Sequence, residues 1–293
     1  MKAAAFNYAR AASVEEAVAM LAGGGERAKL LAGGQSLLPA LNLRLMSLDL
    51  LVDITGISAL RGTTIEGGTV KIGALTRHAD LLVSRQIAEH APLLAKAVAH
   101  IAHPAIRNRG TIGGNLAHAD PASELPACMQ VLGATMVLRG PAGERRIGAA
   151  EFFLGLYQTA LAADEMLVAV EFPAIRRGER AYFHEFARRL GDYAIIGLAA
   201  QAEVEGDRIG AVRLAYFGVG DRAASCPAAA RLLQQRYTPG ALADAQRALA
   251  QDLQPHGDHQ ASAAMRLHLA RILLARCVHE WLGRSAVPDG ATA

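Results

Sequence analysis

The 293-residue chain has only three cysteines, and they stand far apart. Cys128, Cys226 and Cys277 form no C-x-x-C pair, so this chain alone cannot supply a standard iron–sulfur cluster or a structural zinc site. Ten histidines are present, but His100 and His103 have no carboxylate-rich third site to complete a metal centre. We therefore expect no metal site on this chain.

The chain also lacks a strong excess of positive or negative charge and a long apolar run. The chain carries 30 Lys and Arg against 27 Asp and Glu, spread along its length, which does not support nucleic-acid binding. No uninterrupted apolar stretch reaches the ~18 residues of a membrane span. The first residues show no long apolar core, cleavage site or twin-arginine pattern, which indicates a cytoplasmic protein.

A G-x-G-x-x-G fingerprint between a strand and a helix is also absent, yet paired glycines occur twice in similar surroundings. Residues 32–37 read A-G-G-Q-S-L, and residues 111–116 read T-I-G-G-N-L. Paired glycines let the backbone approach a ligand closely and allow conformations that point successive N–H groups into one concavity. The first pair also precedes a short predicted helix, whose N-terminus attracts anions. We predict that the two segments hold one diphosphate from two sides.

Hydrophobic patterns up to Pro173 indicate alternating helices and strands. Ser13 and Glu16 form a capping box, which predicts a helix that ends near Gly23. The second glycine segment is expected as a loop between Arg109 and Leu116. The other elements expected here are strands at 29–31, 48–54, 69–73, 134–139 and 166–172 and helices at 79–84 and 93–101.

Beyond Pro173, strands precede helices. Runs at 182–188, 195–204 and 209–219 predict a three-stranded antiparallel sheet, and helical patterns follow at 228–235, 239–251 and 262–282. This order indicates an α+β domain. We expect a first domain at 1–176, with subdomains at about 1–56 and 57–176, a C-terminal domain at 177–285 and a frayed tail at 286–293.

The motifs resemble those of a known family over nearly the whole chain and in the same order. The matching segments are residues 32–37, 106–126, 151–153 and 188–194. They are similar to the FAD-binding medium subunit of the molybdenum hydroxylases, which include carbon monoxide dehydrogenase and xanthine dehydrogenase. The resemblance implies a two-lobed FAD-binding domain of the vanillyl-alcohol oxidase type, not a Rossmann fold, followed by the α+β domain.

The resemblance also implies roles for the two glycine segments. The first segment would give its backbone N–H groups to one side of the FAD diphosphate, and the second segment would take the other side. The hydroxyls of Ser36 and Thr111 would donate to phosphate oxygens, although helix capping is an alternative role for both. The residues assigned to the diphosphate in this way are Ala32, Gly33, Gly34, Gln35, Ser36, Leu37, Thr111, Gly113, Gly114 and Asn115.

Three further residues are implied at the rest of the cofactor. Glu124 stands where relatives often have aspartate and would accept from ribityl or ribose hydroxyls, or else be an ordinary acid at a helix start. Ile101 and Tyr193 would lie against the isoalloxazine, although either could belong to the core. Because the flavin carries the chemistry, we expect no catalytic acid or base on this chain.

The function implied is electron transfer within a larger enzyme. A large molybdenum-pterin subunit would hydroxylate the substrate, and a small subunit with two iron–sulfur clusters would pass electrons to the FAD of this chain and then to an external acceptor. The complex would be a dimer of heterotrimers. Two alternatives are a self-contained FAD-dependent reductase of the same superfamily and a non-catalytic nucleotide-binding protein. The substrate and the acceptor are not identified by this sequence.

Overall fold

The computed structural model describes residues 2–284. The strands, in chain order, are β1 (Asn7–Arg10), β2 (Ala28–Leu31), β3 (Leu50–Asp53), β4 (Thr63–Glu66), β5 (Thr69–Gly73), β6 (Thr135–Gly140), β7 (Gly143–Gly148), β8 (Phe153–Gly155), β9 (Gln158–Thr159), β10 (Met166–Pro173), β11 (Glu179–Phe186), β12 (Ile196–Glu205), β13 (Arg208–Phe217) and β14 (Ala224–Ser225). The α-helices are α1 (Val14–Gly24), α2 (Leu37–Asn42), α3 (His78–Val83), α4 (Arg85–His90), α5 (Pro92–Val98), α6 (Pro104–Arg107), α7 (Ile112–His118), α8 (Glu124–Leu132), α9 (Ala149–Phe152), α10 (Pro227–Leu233), α11 (Pro239–Asp252) and α12 (Ala263–Trp281).

The chain forms two compact units that are not contiguous in sequence. The first unit runs to His90 and includes Ile101–Asp120 and Gly133–Ala174. The second unit holds Ala91–His100, Pro121–Leu132 and, among the described residues, 175–284. The domain limits expected from the sequence were contiguous. In the structure, α5 and α8 instead lie in the second unit, whereas the residues on either side of them in the sequence lie in the first.

The first unit begins with a small parallel sheet in the order β1-β3-β2. Helix α1 packs on it, and Ser13 caps its start as predicted, since Ser13 Oγ accepts from the Glu16 N–H at 3.2 Å. The Glu16 carboxylate accepts from the Ala12 N–H at 2.7 Å, one residue before the N-cap N–H that a capping box would use. The buried side chain of Val18 joins that of Val52 in the core. The first glycine segment follows β2, at the edge where the carboxyl ends of all three strands meet.

The rest of the first unit is built on a five-stranded antiparallel sheet in the order β4-β5-β10-β6-β7. In β5, Val70 and Ile72 are buried while Thr69 and Lys71 are exposed, the alternation expected of a sheet with one covered face. A short hairpin, β8-β9, follows α9. Helix α7, which carries the second glycine pair, packs near β10.

The second unit is an antiparallel sheet in the order β11-β12-β13-β14. Residues 196–202 of β12 are all buried, so both faces of this strand are covered. Helices α8 and α12 both contact β12, and α10 and α11 complete the core around Tyr216 and Trp281. The described residues contain no helix that is long and apolar enough to cross a membrane.

The structure departs from the sequence prediction in the second glycine segment and in the C-terminal sheet. The second glycine pair is not in a loop but in the first turn of α7, because Thr111 caps a helix that starts at Ile112. The predicted three-stranded sheet has a fourth strand, β14, which is only two residues long. The predicted tail at 286–293 and the last residue of the predicted C-terminal domain lie outside the described residues.

Candidate functional site

The first glycine segment presents a row of backbone N–H groups. Gly34 has a φ of +70°, a conformation that side-chain-bearing residues rarely adopt, and Gln35 Nε2 donates to the Gly33 carbonyl at 2.9 Å. Within residues 2–284, the backbone N–H groups of residues 33–37 donate to no acceptor, and helix α2 makes its first bond only at Leu38, to the Gly34 carbonyl. Five successive donors near a helix start are an arrangement suited to an anion.

The second glycine segment uses its backbone N–H groups differently. Ile112 and Gly113 donate to the carbonyls of Thr76 and Ala74, at 3.0 and 2.9 Å. Gly114 donates to Thr111 Oγ1 at 3.2 Å, so Thr111 has the capping role that the sequence left open. These three N–H groups therefore already have acceptors within the chain. Thr111 Oγ1 acts only as an acceptor in the cap, so its hydroxyl hydrogen can still be donated to a ligand. Ser36 makes no capping hydrogen bond, so capping is not its role.

The structure brings the first glycine segment against Arg109 and Gly110, the two residues that lead into the second segment. A Cβ atom on Gly33 would lie 2.4 Å from the Arg109 carbonyl oxygen and 2.7 Å from Gly110 Cα. A Cβ atom on Gly114 would lie 3.7 Å from Ala32 Cβ. Glycine at position 33 therefore permits the close approach, and the exposed Gly114 keeps the space beside Ala32 clear of a side chain.

His78, which the sequence did not single out, packs against Gly110, the residue before the second glycine segment. His78 is 3% exposed, its ring lies against Gly110, and its backbone N–H donates to the Gly110 carbonyl at 3.0 Å. Burial, reinforced by the charge of Arg107, lowers the pKa of His78 to about 4, so the ring is neutral near pH 7. These contacts join residues distant in sequence, and no local pattern indicates them.

Ile101 is 5% exposed and precedes a strained turn. Ala102 has a φ of +42°, a region that costs a non-glycine residue about 1–2 kcal/mol. Arg107 holds this turn, because its Nη1 donates to the carbonyls of Ile101 and Ala102 at 2.7 and 2.8 Å. The burial of Ile101 fits either a core position or a wall of the cofactor site.

Glu124 and Tyr193 belong to the second unit, unlike the other predicted site residues. Glu124 begins α8, as an acid at a helix start would, and is 9% exposed. Tyr193 is 63% exposed, so a core role for it is wrong. It lines a shallow pocket of about 270 Å³ together with Arg188, Gly191, Asp192 and Gln260. An exposed aromatic ring at such a pocket is suited to stacking against a planar ligand.

Metal-binding side chains do not cluster in the described part of the chain, where no group of three His, Cys, Asp or Glu residues could hold an ion. All three cysteines are buried and unpaired. Burial raises the pKa of each thiol well above its ordinary value, which leaves the thiols protonated and unreactive.

Comparison with known proteins supports the assignment of both parts of the chain. Residues 4–175 match the FAD binding domain in molybdopterin dehydrogenase, and residues 181–281 match the CO dehydrogenase flavoprotein C-terminal domain. The chain is 40% identical to the 6-hydroxypseudooxynicotine dehydrogenase complex subunit alpha of Paenarthrobacter nicotinovorans, over 97% of both chains. It is also 40% identical to the carbon monoxide dehydrogenase medium chain of Hydrogenophaga pseudoflava, over 88% of this chain and 93% of the relative.

A solved structure agrees with this result. A chain of reconstituted CO dehydrogenase from Oligotropha carboxidovorans superposes with a TM-score of 0.94 at 34% identity, covering 97% of this chain and all of that one. The relatives are subunits of dehydrogenases, and the resemblance first seen in residues 32–37 and 106–126 is confirmed. The chain therefore belongs to the family of FAD-binding medium subunits of the molybdenum hydroxylases and is an oxidoreductase subunit whose cofactor is FAD.

Proposed function

We propose that this chain is the electron-transfer subunit of a molybdenum hydroxylase and that its two glycine segments grip the diphosphate of one non-covalently bound FAD. The observation that carries the proposal is the row of N–H groups at residues 33–37, which find no acceptor within residues 2–284. Neutral dipoles can hold an anion without a buried counter-charge. FAD supplies the redox chemistry, and the protein supplies its binding, orientation and electrostatic surroundings.

The two glycine segments, residues 32–37 and 111–116, contribute to the proposed diphosphate site in different ways. The first segment donates through its backbone and through the Ser36 hydroxyl. Because the backbone donors of Gly113 and Gly114 are already bonded within the chain, the second segment contributes the Thr111 hydroxyl hydrogen and a wall with no side chain at Gly114. Ala32, whose Cβ lies 3.7 Å from the Cβ position of Gly114, and Asn115, the next residue in α7, would line the same wall. The 2.4 Å separation between a Cβ at Gly33 and the Arg109 carbonyl supports this joint site.

The remaining contacts involve the ribityl or ribose hydroxyls and the isoalloxazine. Glu124 would accept hydrogen bonds from the hydroxyls, in keeping with its buried position at the start of α8. Ile101 and Tyr193 would lie against the ring system, and the exposure of Tyr193 supports a role in contacting a ligand. None of these side chains is assigned as a catalytic acid or base.

The partners proposed are a small iron–sulfur subunit and a large molybdenum-pterin subunit, assembled as a dimer of heterotrimers. Relatives are named as a medium chain and as a subunit of a complex, which supports such an assembly. Electrons would arrive from the iron–sulfur clusters of the small subunit and leave through FAD to an external acceptor. Substrate contacts would lie on the large subunit.

The test is to purify the chain alone and with its partner subunits. We expect the chain alone to contain FAD that dithionite reduces, and to oxidise no aldehyde, purine or carbon monoxide. Oxidation of any of these by the metal-free chain would overturn the subunit assignment in favour of a self-contained enzyme. A folded chain that neither retains nor takes up FAD would favour a non-catalytic nucleotide-binding protein.

A further inference from the structure

Arg266 lies in the first turn of α12, and its side chain is only 7% exposed. Its guanidinium donates to the Ile195 carbonyl, to the Gly218 carbonyl at 2.5 Å and to Asp258 Oδ2 at 2.7 Å. These acceptors belong to three separate segments: the end of the β11–β12 loop, the residue after β13 and the loop before α12. One buried cation therefore ties together three loops of the second unit.

The acceptor of greatest interest is the Ile195 carbonyl, two residues beyond Tyr193. The Ile195 N–H donates to the Phe186 carbonyl at 2.7 Å, which closes the β11–β12 loop at its base. Gly218, with a φ of +71°, packs so closely that a Cβ there would lie 2.8 Å from the Ile195 oxygen. The direction of the Ile195 carbonyl is thus fixed from two sides, by Gly218 and by Arg266.

The charge of Arg266 is balanced by a carboxylate that stays ionised. Desolvation raises the pKa of Asp258, but hydrogen bonds from the N–H groups of Gln260 and Ala261, together with Arg266, lower it to about 2. Asp258 accepts these two N–H groups at 2.8 and 3.1 Å. The ion pair therefore persists across the physiological pH range, and it fixes the guanidinium in one place.

We infer that Arg266 is the positioning residue for Tyr193, because it anchors the end of the loop that presents the exposed ring. This inference rests on the proposed role of Tyr193 beside the isoalloxazine. Loss of Arg266 releases the Ile195 carbonyl and changes the angle of the ring, while the glycine segments of the first unit still bind the diphosphate. The effect is then on the flavin's surroundings and not on the amount of FAD bound.

The experiment uses the FAD-loaded protein with Arg266→Met, Arg266→Lys, Tyr193→Ala and the double variant Tyr193→Ala/Arg266→Met. Arg271→Met is the matched control, since Arg271 lies on the same helix but donates to the Gln246 carbonyl of α11, at 3.3 Å. The readouts are the visible spectrum of the flavin, its reduction potential, the FAD-to-protein ratio and the melting temperature.

We expect Arg266→Met to reproduce the spectral change of Tyr193→Ala while FAD stays near one per chain. Arg266→Lys keeps the charge but not the planar fork, so its spectrum should be intermediate. In the double variant, removal of Arg266 should add nothing to the effect of Tyr193→Ala, because both act on the same contact. Arg271→Met should leave the spectrum unchanged whatever it does to the melting temperature.

Two results would overturn the inference while leaving the role of Tyr193 intact. One is a spectral change in Tyr193→Ala with none in folded Arg266→Met or Arg266→Lys. The other is an Arg266→Met effect of the same size with and without Tyr193. A Tyr193→Ala protein with an unchanged spectrum and potential would instead contradict the proposed stacking role, and the inference with it. If Arg266→Met does not fold, Arg266→Lys carries the comparison.

Discussion

Replacing Gly33 with alanine should force the first glycine segment away from Arg109 and Gly110, which lead into the second segment. The new Cβ would lie 2.4 Å from the Arg109 carbonyl oxygen and 2.7 Å from Gly110 Cα, and both of these are backbone atoms that cannot rotate away. Ordinary contact begins near 3.4 Å, so the backbone of one segment must move by roughly 1 Å. Overpacking of this kind costs about 1–3 kcal/mol. We expect Gly33→Ala to lose both stability and FAD.

Gly114→Leu separates the loss of FAD from the loss of stability. A Cβ on Gly114 meets only Thr111 Oγ1, at 2.9 Å, and Ala32 Cβ, at 3.7 Å, and the residue is exposed. The Thr111 hydroxyl must move to admit the side chain, and loss of its cap costs about 0.5–2 kcal/mol. The fold should survive that loss, whereas a bound diphosphate should not tolerate the side chain. Gly23→Ala is the control, because nothing lies within 4 Å of its Cβ position and alanine near the end of α1 should stabilise the helix by about 0.5–1 kcal/mol.

The assay is the flavin-to-protein ratio of each purified variant, with thermal unfolding measured on the same samples. At this chain length, each kcal/mol of lost stability lowers the melting temperature by about 2–4 °C. We expect a lower melting temperature in Gly33→Ala, at most the drop due to the lost Thr111 cap in Gly114→Leu, and no change or a rise in Gly23→Ala. Full FAD retention in folded Gly114→Leu would refute the proposal that both glycine segments hold the diphosphate.

Three further substitutions test other parts of the structure. Tyr193→Ala should change unfolding free energy by no more than about 0.5 kcal/mol, since the ring is exposed, yet alter the flavin spectrum or acceptor rate; a large loss of stability with an unaltered spectrum would contradict this. Ala102→Gly should raise the melting temperature slightly, because relief of about 1–2 kcal/mol of left-handed strain exceeds the ~0.4–1 kcal/mol entropic cost of glycine, and a lower value would argue against the strain. His78 has a pKa of about 4 when folded and 6.5 when unfolded, so the unfolded chain binds the proton first as pH falls. Wild-type stability should therefore drop by about 2 kcal/mol more than that of His78→Leu between pH 7 and pH 5 in denaturant titrations, and parallel pH profiles would rule this out.

The local elements were largely predictable, and the long-range contacts were not. The Ser13 cap and the start of α1 were predicted correctly, because a cap is encoded within a few residues. The first turn of α7 was predicted as a loop because it contains the second glycine pair, and glycine is a poor helix former. Thr111 was the one residue that indicated a helix start there. Strand β14 has two residues, too short for any periodic pattern.

The candidate site shows the same division. The motifs at 32–37 and 106–126 identified the family, because their residue types and order are specific. The support from Arg107 and Arg266 could not be inferred, since an arginine in a sequence does not reveal which carbonyls it will reach. The Arg266 bonds join it to residues 71 and 48 positions away. Only the folded backbone brings such acceptors within range.

The interleaved course of the chain limits how this protein can be divided. The chain passes between the two units after His90, His100, Asp120, Leu132 and Ala174. A fragment that ends near residue 176 would carry α5 and α8 without the sheet they cover, and a fragment that starts there would leave one face of β12 bare. Each piece would expose apolar surface that invites aggregation. Chimeras between relatives should therefore be cut at all five crossings, so that each unit is exchanged whole.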